Sequence, residues 1–599
     1  MTPLNHTEKT MGNNEPSPQQ NILLLIISLF ALLTYLGLFF FRHFDDNRLT
    51  SWEWVFQGGD AAYLFLILVA GVILAFGLSR ISVFPRIRVL FLFCLSFAFA
   101  GLMWGEPEVI VDTSRYFTAA KHLELYGIGY FIREWGRNIS AWTDMPLIPF
   151  LYGLIFKFIG ESRIYIQIFN TLLFSLSTLI TYLIGKELWD EDTGFFGGML
   201  LLGMPYLLTQ VPLMLVDVPV MFFFLLSVFA FLRALKQGGW WIPLSAMAVF
   251  LSFYSKYSAW LMLSIMIVIF MIYLKNEQQE YGTRRLLYRA GAYFFLATIL
   301  ISAVFLYKSD IFIAQMKLLI EYQKPGLNRW GESFTSTFLF QVSPFISLAA
   351  LYSVYAAARK KDWKYLIVLW LVLLVIVMQV KRIRYIIMIF PMLGLMASYG
   401  ISRIKDKEIR KFIVSCILIF SFTIAFFGYL PFIEKMSAVN LKEAGSFIDA
   451  IPEQNIEIFT LLTKDAAANP AIAVPILDLF TNKKIIYNYN ADISAVLEKK
   501  ISKSSLRFTW EYKNPDYYKY VEYSKENTAV AVISSEPGDA LLSDIQDRIS
   551  GCRLSKIYDE YEDIFRFRTS VRVFQCGTSG DVRKNSNVFA HKKINHLKL

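Results

Sequence analysis

The chain has 599 residues, of which 55% are hydrophobic, 16% aromatic and only 18% charged, and its mean hydropathy is +0.45. A soluble globular chain carries roughly 45–50% apolar and ~25% charged residues, so a single soluble domain is excluded, as is a disordered or fibrous chain. The net charge of +11, in so apolar a chain, is expected from the basic cytoplasmic loops of a membrane protein and does not call for nucleic acid as a partner.

Residues 1–20 are polar and read as a disordered cytoplasmic N-terminus. Apolar runs follow at 21–41, 61–79, 87–104, 163–185, 194–210, 213–233, 241–255, 258–274, 290–307, 335–357, 365–380, 385–402 and 412–430. Each is near the ~20 residues that cross ~30 Å of hydrocarbon, which predicts about 13 spans. The first run lacks a small-residue cleavage site and reads as an uncleaved anchor. Arg80, Arg86 and Arg88, then Arg233 and Lys236, then Lys275, Arg284, Arg285 and Arg289 follow alternate spans. So do Arg359, Lys360, Lys361 and Lys364, and finally Arg403, Lys405, Lys407, Arg410 and Lys411. All five groups fall on one side, which the positive-inside rule makes the cytoplasm. The loop from Lys186 to Asp192 is acidic on that side, but acidic residues count little in the rule.

The outer face then holds the loops 105–162 and 308–334 and everything beyond about 430. Spans at 21–104 form an N-terminal group, and 105–430 form a membrane region with the two outer loops. Residues 431–577 change composition and alternate helix and strand patterns. LKEAGSFIDAIP reads as a helix, IEIFTLL as a strand, AIAVPILDLF as a helix, and KKIIYNY, AVAVISSE and VRVFQC as strands. The fold class is therefore mainly α, a polytopic helical bundle followed by a small outer α/β domain. The basic tail 578–599 reads as disordered. Cys94 and Cys416 sit in apolar spans and read as packing residues. Cys552 and Cys576 lie in the outer domain, where an oxidising compartment permits a disulfide. Few cysteines and no targeting signal lean toward a prokaryotic plasma membrane.

Four places carry chemistry. Asp112, in VDTSRYFTAAKHL, opens an outer amphipathic helix with Tyr116, Phe117, Ala120, Leu123 and Leu125 toward the membrane; it is either that helix's N-cap or a carboxylate placed to take a proton from a nucleophile. Asp217, in LMLVDVPVMFFFLL, is an acid near the outer end of a span; it reaches interfacial water or faces a cavity that Pro219 helps to open. Lys256, in SFYSKYSAW, either snorkels or serves a site. Lys381, Arg382 and Arg384 break the positive-inside bias; an anionic phosphate ligand or acidic partners such as Asp112 or Asp217 would explain them. The loop 308–334 holds an amphipathic helix, IFIAQMKLLIEYQ, then KPGLNRWGES with Pro325, Gly326 and Gly331. It reads as a lid or as a connector. Asn138-Ile-Ser140 is a glycosylation sequon.

From Asp112 to about Pro391 the order of DTSRYFTAAKHL, DMPLIPFLYGLIFKFIGES, LITYLIGKELWDEDTGFFGGMLL, LMLVDVPVMFFFLL, SFYSKYSAW and RIRYIIMIFP resembles the polyprenyl-phosphate-sugar-dependent glycosyltransferases of the GT-C type. It is most similar to the protein O-mannosyltransferase and aminoarabinose-transferase branch. The resemblance implies transfer of a sugar from a polyprenyl-phosphate donor to a protein, lipid or glycan acceptor at the outer face, with inversion. It implies Asp112 as base and Asp217 as a second catalytic acid. Arg115, Tyr116, Lys256, Tyr257, Arg382, Arg384 and Tyr385 form the implied substrate and lipid-phosphate set. Thr113 replaces the second acid of the usual Asp-Glu pair, and no Asp-x-Asp motif stands in the loop. No cofactor is expected, and a divalent metal stays open. A polytopic transporter is the alternative; related halves are not seen.

Overall fold

The computed structural model describes residues 18–576 except 143, 277, 324–330, 463–467, 489–500, 502–505, 520–526, 561–563 and 566. The expected N-terminal disorder through residue 17, the basic tail, and Pro325 and Gly326 of the proposed lid lie outside the described residues.

Among the described residues, eight helices are long and apolar enough to cross a membrane: Pro18–Phe40, Ala61–Ser79, Arg163–Leu188, Asp217–Gln237, Tyr257–Asn276, Thr283–Tyr307, Ile383–Ile401 and Lys407–Ile433. Shorter helices occupy other apolar runs, at Arg88–Gly101, Glu191–Leu202, Trp241–Phe253, Pro344–Lys360 and Leu366–Val377. The run 194–210 and the start of 213–233 are not two continuous helices. The chain is helical at Glu191–Leu202 and Pro205–Gln210, and the helix that follows begins only at Asp217. Pro205 and Pro212 supply the reason, because each lacks an N–H and clashes with the preceding turn. The helix Asp217–Gln237 is apolar around most of its circumference and is buried almost throughout, as that pattern requires.

Small residues let neighbours close in. A Cβ on Gly185 would lie 2.6 Å from the Cα of Gly194, so Arg163–Leu188 and Glu191–Leu202 meet backbone to backbone. On the domain-bearing end, a Cβ on Gly153 would lie 2.7 Å from Leu123 Cβ. That glycine lets Leu147–Phe158 pack directly on the helix Ile110–Tyr126.

The C-terminal region forms a five-stranded sheet: β1 Asn455–Thr460, β2 Lys484–Tyr487, β3 Thr528–Ser534, β4 Arg553–Tyr558 and β5 Ser570–Gln575, in the order β2-β1-β3-β5-β4. β1 pairs in parallel with β2 and β3, and β5 pairs antiparallel with β3 and β4. Every residue of β3 is buried, as befits a central strand covered on both faces. The sequence patterns at β1, β2, β3 and β5 and at the helix Ala438–Ala450 point to these elements. β4 escapes such a reading because RLSKIY is a largely exposed edge strand with polar residues. Cys552 and Cys576 are joined by a disulfide across the start of β4 and the end of β5.

Ion pairs tie this domain to the bundle. Lys121 Nζ lies 2.6 Å from Asp478 Oδ2 and 2.9 Å from Glu161 Oε1, and Tyr518 donates to the same Asp478 oxygen at 2.6 Å. Lys442 also donates to the carbonyl of Gly105.

Candidate active site

The domain-bearing end of the bundle gathers Asp112, Asp217, Lys256 and Arg384 into one cluster. Arg384 donates through Nη1 to Asp112 Oδ2 at 2.6 Å and through Nη2 to Asp217 Oδ2 at 3.0 Å. Lys256 Nζ reaches Asp217 Oδ1 at 2.5 Å. Arg115 donates to Asp112 Oδ1 at 2.9 Å and forms an ion pair with Asp144 Oδ2 at 3.1 Å. Tyr116 donates to Asp144 Oδ1 at 3.3 Å. Tyr385 lies under two cations, 5.4 Å from Lys256 Nζ and 5.3 Å from Arg382 Cζ. Tyr257 donates to Gln315 instead of entering the cluster.

Each side chain is placed by local backbone. Asp112 falls in the first turn of Ile110–Tyr126, where its carboxylate suits the helix dipole, but it makes no capping bond. The N-cap position is Val109, so the cap alternative for Asp112 does not hold. Asp217 opens its helix, and Pro219 two residues later fits a first turn whose N–H groups have no intrahelical partner. Arg384 sits on the short helix Ile383–Ile386, followed by a 3₁₀ turn and then by Phe390–Ile401. Pro391 lacks the N–H that a continuous helix would use there. Arg384 is therefore no free cation: it satisfies two carboxylates, as the acidic-partner alternative requires.

Accessibility divides the cluster. The Asp217 side chain is 1% exposed and that of Arg384 10%, whereas Asp112, Arg115, Asp144 and Lys256 are each 21% exposed. A ligand would meet the last four first. Burial raises the affinity of Asp112 for a proton, but the Arg384 and Arg115 guanidiniums outweigh it and hold the carboxyl well below the usual range. Asp144 moves the other way. Burial pushes its pKa up, Arg115 offsets only part of this, and the charge of Asp112 adds to the rise.

Asp144, Glu108 and Gln315 belong to this architecture, and sequence reasoning did not single them out. Glu108 is fully buried; it accepts from Arg163 Nε at 2.7 Å, from Thr113 Oγ1 at 3.1 Å and from the Met214 N–H at 2.9 Å. It thereby joins the helix of Asp112 to the segment that leads into Asp217. Asn170 and Tyr152 hold the same segment through the carbonyls of Leu213 and Leu215, at 2.7 and 2.5 Å. Gln315 donates to the carbonyls of Trp142 and Asp144, both at 3.0 Å. Trp142 has φ 43°, a left-handed conformation that costs a bulky residue roughly 1–2 kcal/mol, and the Gln315 bonds help to sustain it. Phe508 of the C-terminal domain lies 5.3 Å from Arg115 Cζ and 5.6 Å from the Trp142 ring, so that domain roofs the Asp144 side of the cluster. Among the described residues, no three His, Cys, Asp or Glu side chains are grouped to hold a metal ion.

Residues 143–309 match the family model of dolichyl-phosphate-mannose-protein mannosyltransferases. The matched stretch holds Asp144, Asp217 and Lys256. No curated protein matches the chain in sequence. Among solved structures, ArnT from Cupriavidus metallidurans in the apo state is similar at 12% identity and a TM-score of 0.49, over 80% of this chain and 97% of that one. AglB, the archaeal oligosaccharyltransferase from Archaeoglobus fulgidus, solved with an inhibitory peptide and a dolichol-phosphate, is similar at 12% identity and a TM-score of 0.44, over 76% and 70%. The arabinosyltransferase EmbB from Mycobacterium smegmatis is similar at 15% identity and a TM-score of 0.35, over 57% and 34%. Residues 143–309 are thus similar in sequence to that mannosyltransferase family.

Proposed function

We propose that this protein transfers a sugar from a polyprenyl-phosphate donor to a protein, lipid or glycan acceptor at the outer face of a prokaryotic plasma membrane. The observation that carries the proposal is the convergence of Asp112, Asp217, Lys256 and Arg384 at the end of the bundle that bears the C-terminal domain. A sugar on a long lipid phosphate stays in the bilayer, so its anomeric carbon reacts near the membrane surface. Cations and a carboxylate gathered at one end of a helical bundle suit that chemistry. A transporter would place such groups near mid-membrane.

In this mechanism Lys256, Arg382 and Arg384 take the phosphate, whose charge grows as the sugar departs. Tyr385 holds Lys256 and Arg382 in place through its ring. Asp112 accepts the proton of the acceptor, and one displacement inverts the anomeric centre. Asp217 keeps Lys256 and Arg384 aligned through its two oxygens. Arg115 and Tyr116 fix Asp112 and Asp144. The test is turnover of lipid-linked sugars extracted from membranes by the purified full chain. Consumption of the lipid-linked sugar, lost in Asp112→Asn, is expected; turnover retained in Asp112→Asn removes Asp112 as base.

A further inference from the structure

Two of the cations assigned to the carrier phosphate, Lys256 and Arg384, are already engaged in ion pairs. The ion pairs match three carboxylates, Asp112, Asp144 and Asp217, against three cations, Arg115, Lys256 and Arg384. An entering phosphate can win Arg384 only in exchange for a carboxylate oxygen. Of the two carboxylates on Arg384, Asp217 is sealed in the bundle and shares Lys256 as well. Asp112 is the accessible one, sits on a different helix and keeps Arg115 if it lets go. The exchange therefore falls on the Arg384–Asp112 bond.

On the reading that this is a polyprenyl-phosphate-dependent transferase, we propose that the carrier phosphate displaces Asp112 from Arg384, so that donor binding itself frees the base. At rest both oxygens of Asp112 accept charge-assisted bonds, Oδ1 from Arg115 and Oδ2 from Arg384. A carboxylate so held is a poor proton acceptor. The charged and titratable groups that act on it are Arg115 and Tyr116 from its own helix, Asp144 from the following loop, and Arg382 and Arg384 from the segment before Phe390. Once the phosphate holds Arg384, Oδ2 is released toward the acceptor. The acceptor's X–H proton passes to Asp112 Oδ2, and the X electron pair forms the bond to the anomeric carbon. The bond from that carbon to the phosphate oxygen breaks, and its pair stays on the phosphate, where Arg384 and Lys256 balance it. Donor binding thus precedes activation of the acceptor.

The test uses the full chain in detergent with undecaprenyl phosphate as probe and undecaprenol as control. Binding is measured with radiolabelled lipid. Protonated carboxyl groups are tagged with a water-soluble carbodiimide and an amine, and the peptide carrying Asp112 is quantified by mass spectrometry. The phosphate, and not the alcohol, is expected to raise tagging of Asp112 about tenfold, as suits loss of one of two guanidinium partners. Arg384→Gln is expected to show the raised tagging without lipid. Bound undecaprenyl phosphate with unchanged tagging of Asp112 overturns the coupling and leaves the transferase reading intact. Failure of undecaprenyl phosphate to bind overturns that reading and the coupling with it.

Discussion

Arg384 and Asp217 meet at 3.0 Å across 167 residues of chain, and the other arm of the same guanidinium meets Asp112 across 272 residues. Three separate helices are thereby tied at one point. Because Asp217 is almost fully buried, its loss would strand Arg384 and Lys256 without their shared anion. Removing one partner of a buried pair costs about 3–5 kcal/mol. Asp217→Ala is therefore expected to lower the thermal midpoint in detergent well beyond the effect of Asp112→Asn. An equal or smaller shift would show that Asp217 is not the structural centre of the cluster.

Asp112→Asn keeps the shape of the side chain and one acceptor oxygen while removing the base. Loss of a positioned general base typically lowers rates by ~10²–10⁴. Transfer should fall by that range with the fold retained, which size-exclusion profiles and thermal midpoints would check.

Much of the bundle was legible because lipid demands long apolar runs, although Pro205 and Pro212 break the run 194–210 and the start of 213–233. Asp217 stood out because charge is costly within a span, Lys256 because it is a lone cation in an uncharged turn, Arg384 because it breaks the positive-inside bias, and Asp112 because it opens an amphipathic helix. Their pairing was not legible, since ion-pair partners hundreds of residues apart are set by helix packing and leave no local pattern. Asp144, Glu108 and Gln315 were missed for a related reason. They lie in segments between the apolar runs, where acids and amides are ordinary, and only their contacts distinguish them. Glu108 reaches the Met214 N–H across 106 residues.

Glu108 makes a second prediction about position. Glu108→Gln leaves Arg163 without its anion and loses one of three accepted bonds. Stability should fall by roughly 3–5 kcal/mol, as for a broken buried pair, unless Arg163→Met is added to remove the stranded charge. Unfolding of the single and double variants would check this. A double variant no more stable than the single one would contradict the pairing.

Asp45 supplies a pH dependence. This buried carboxylate accepts from the Trp52 N–H at 2.7 Å, from Gln341 at 2.7 Å and from Ser336 at 2.5 Å, which ties the segment after the helix Pro18–Phe40 to residues 336–341. Burial pushes its pKa up to about 6 from an ordinary 3.8, although these donors pull it down. The folded state thus holds a proton that the unfolded chain releases. The stabilisation is full below about 4 and is lost as pH rises through about 6. Asp45→Asn should flatten that decline in a pH series of thermal midpoints, and an unchanged slope would assign the decline to other groups.

The disulfide between Cys552 and Cys576 closes a loop with a sequence separation of 24. A loop of that size is worth about 2–4 kcal/mol. Cys552→Ser with Cys576→Ser should destabilise the C-terminal domain by that amount and expose β4 and β5 to hydrogen exchange, with the bundle unaffected. Exchange unchanged in those strands would show that the sheet holds without the bond.

The most direct measurement is mass analysis of glycolipids and glycoproteins in cells lacking the protein, complemented with the wild type or with Asp112→Asn at equal expression. The account predicts a glycosylated species that disappears without the protein, returns with the wild type and stays absent with Asp112→Asn. Full return of that species with Asp112→Asn, or no change in any glycosylated species on deletion, would contradict it.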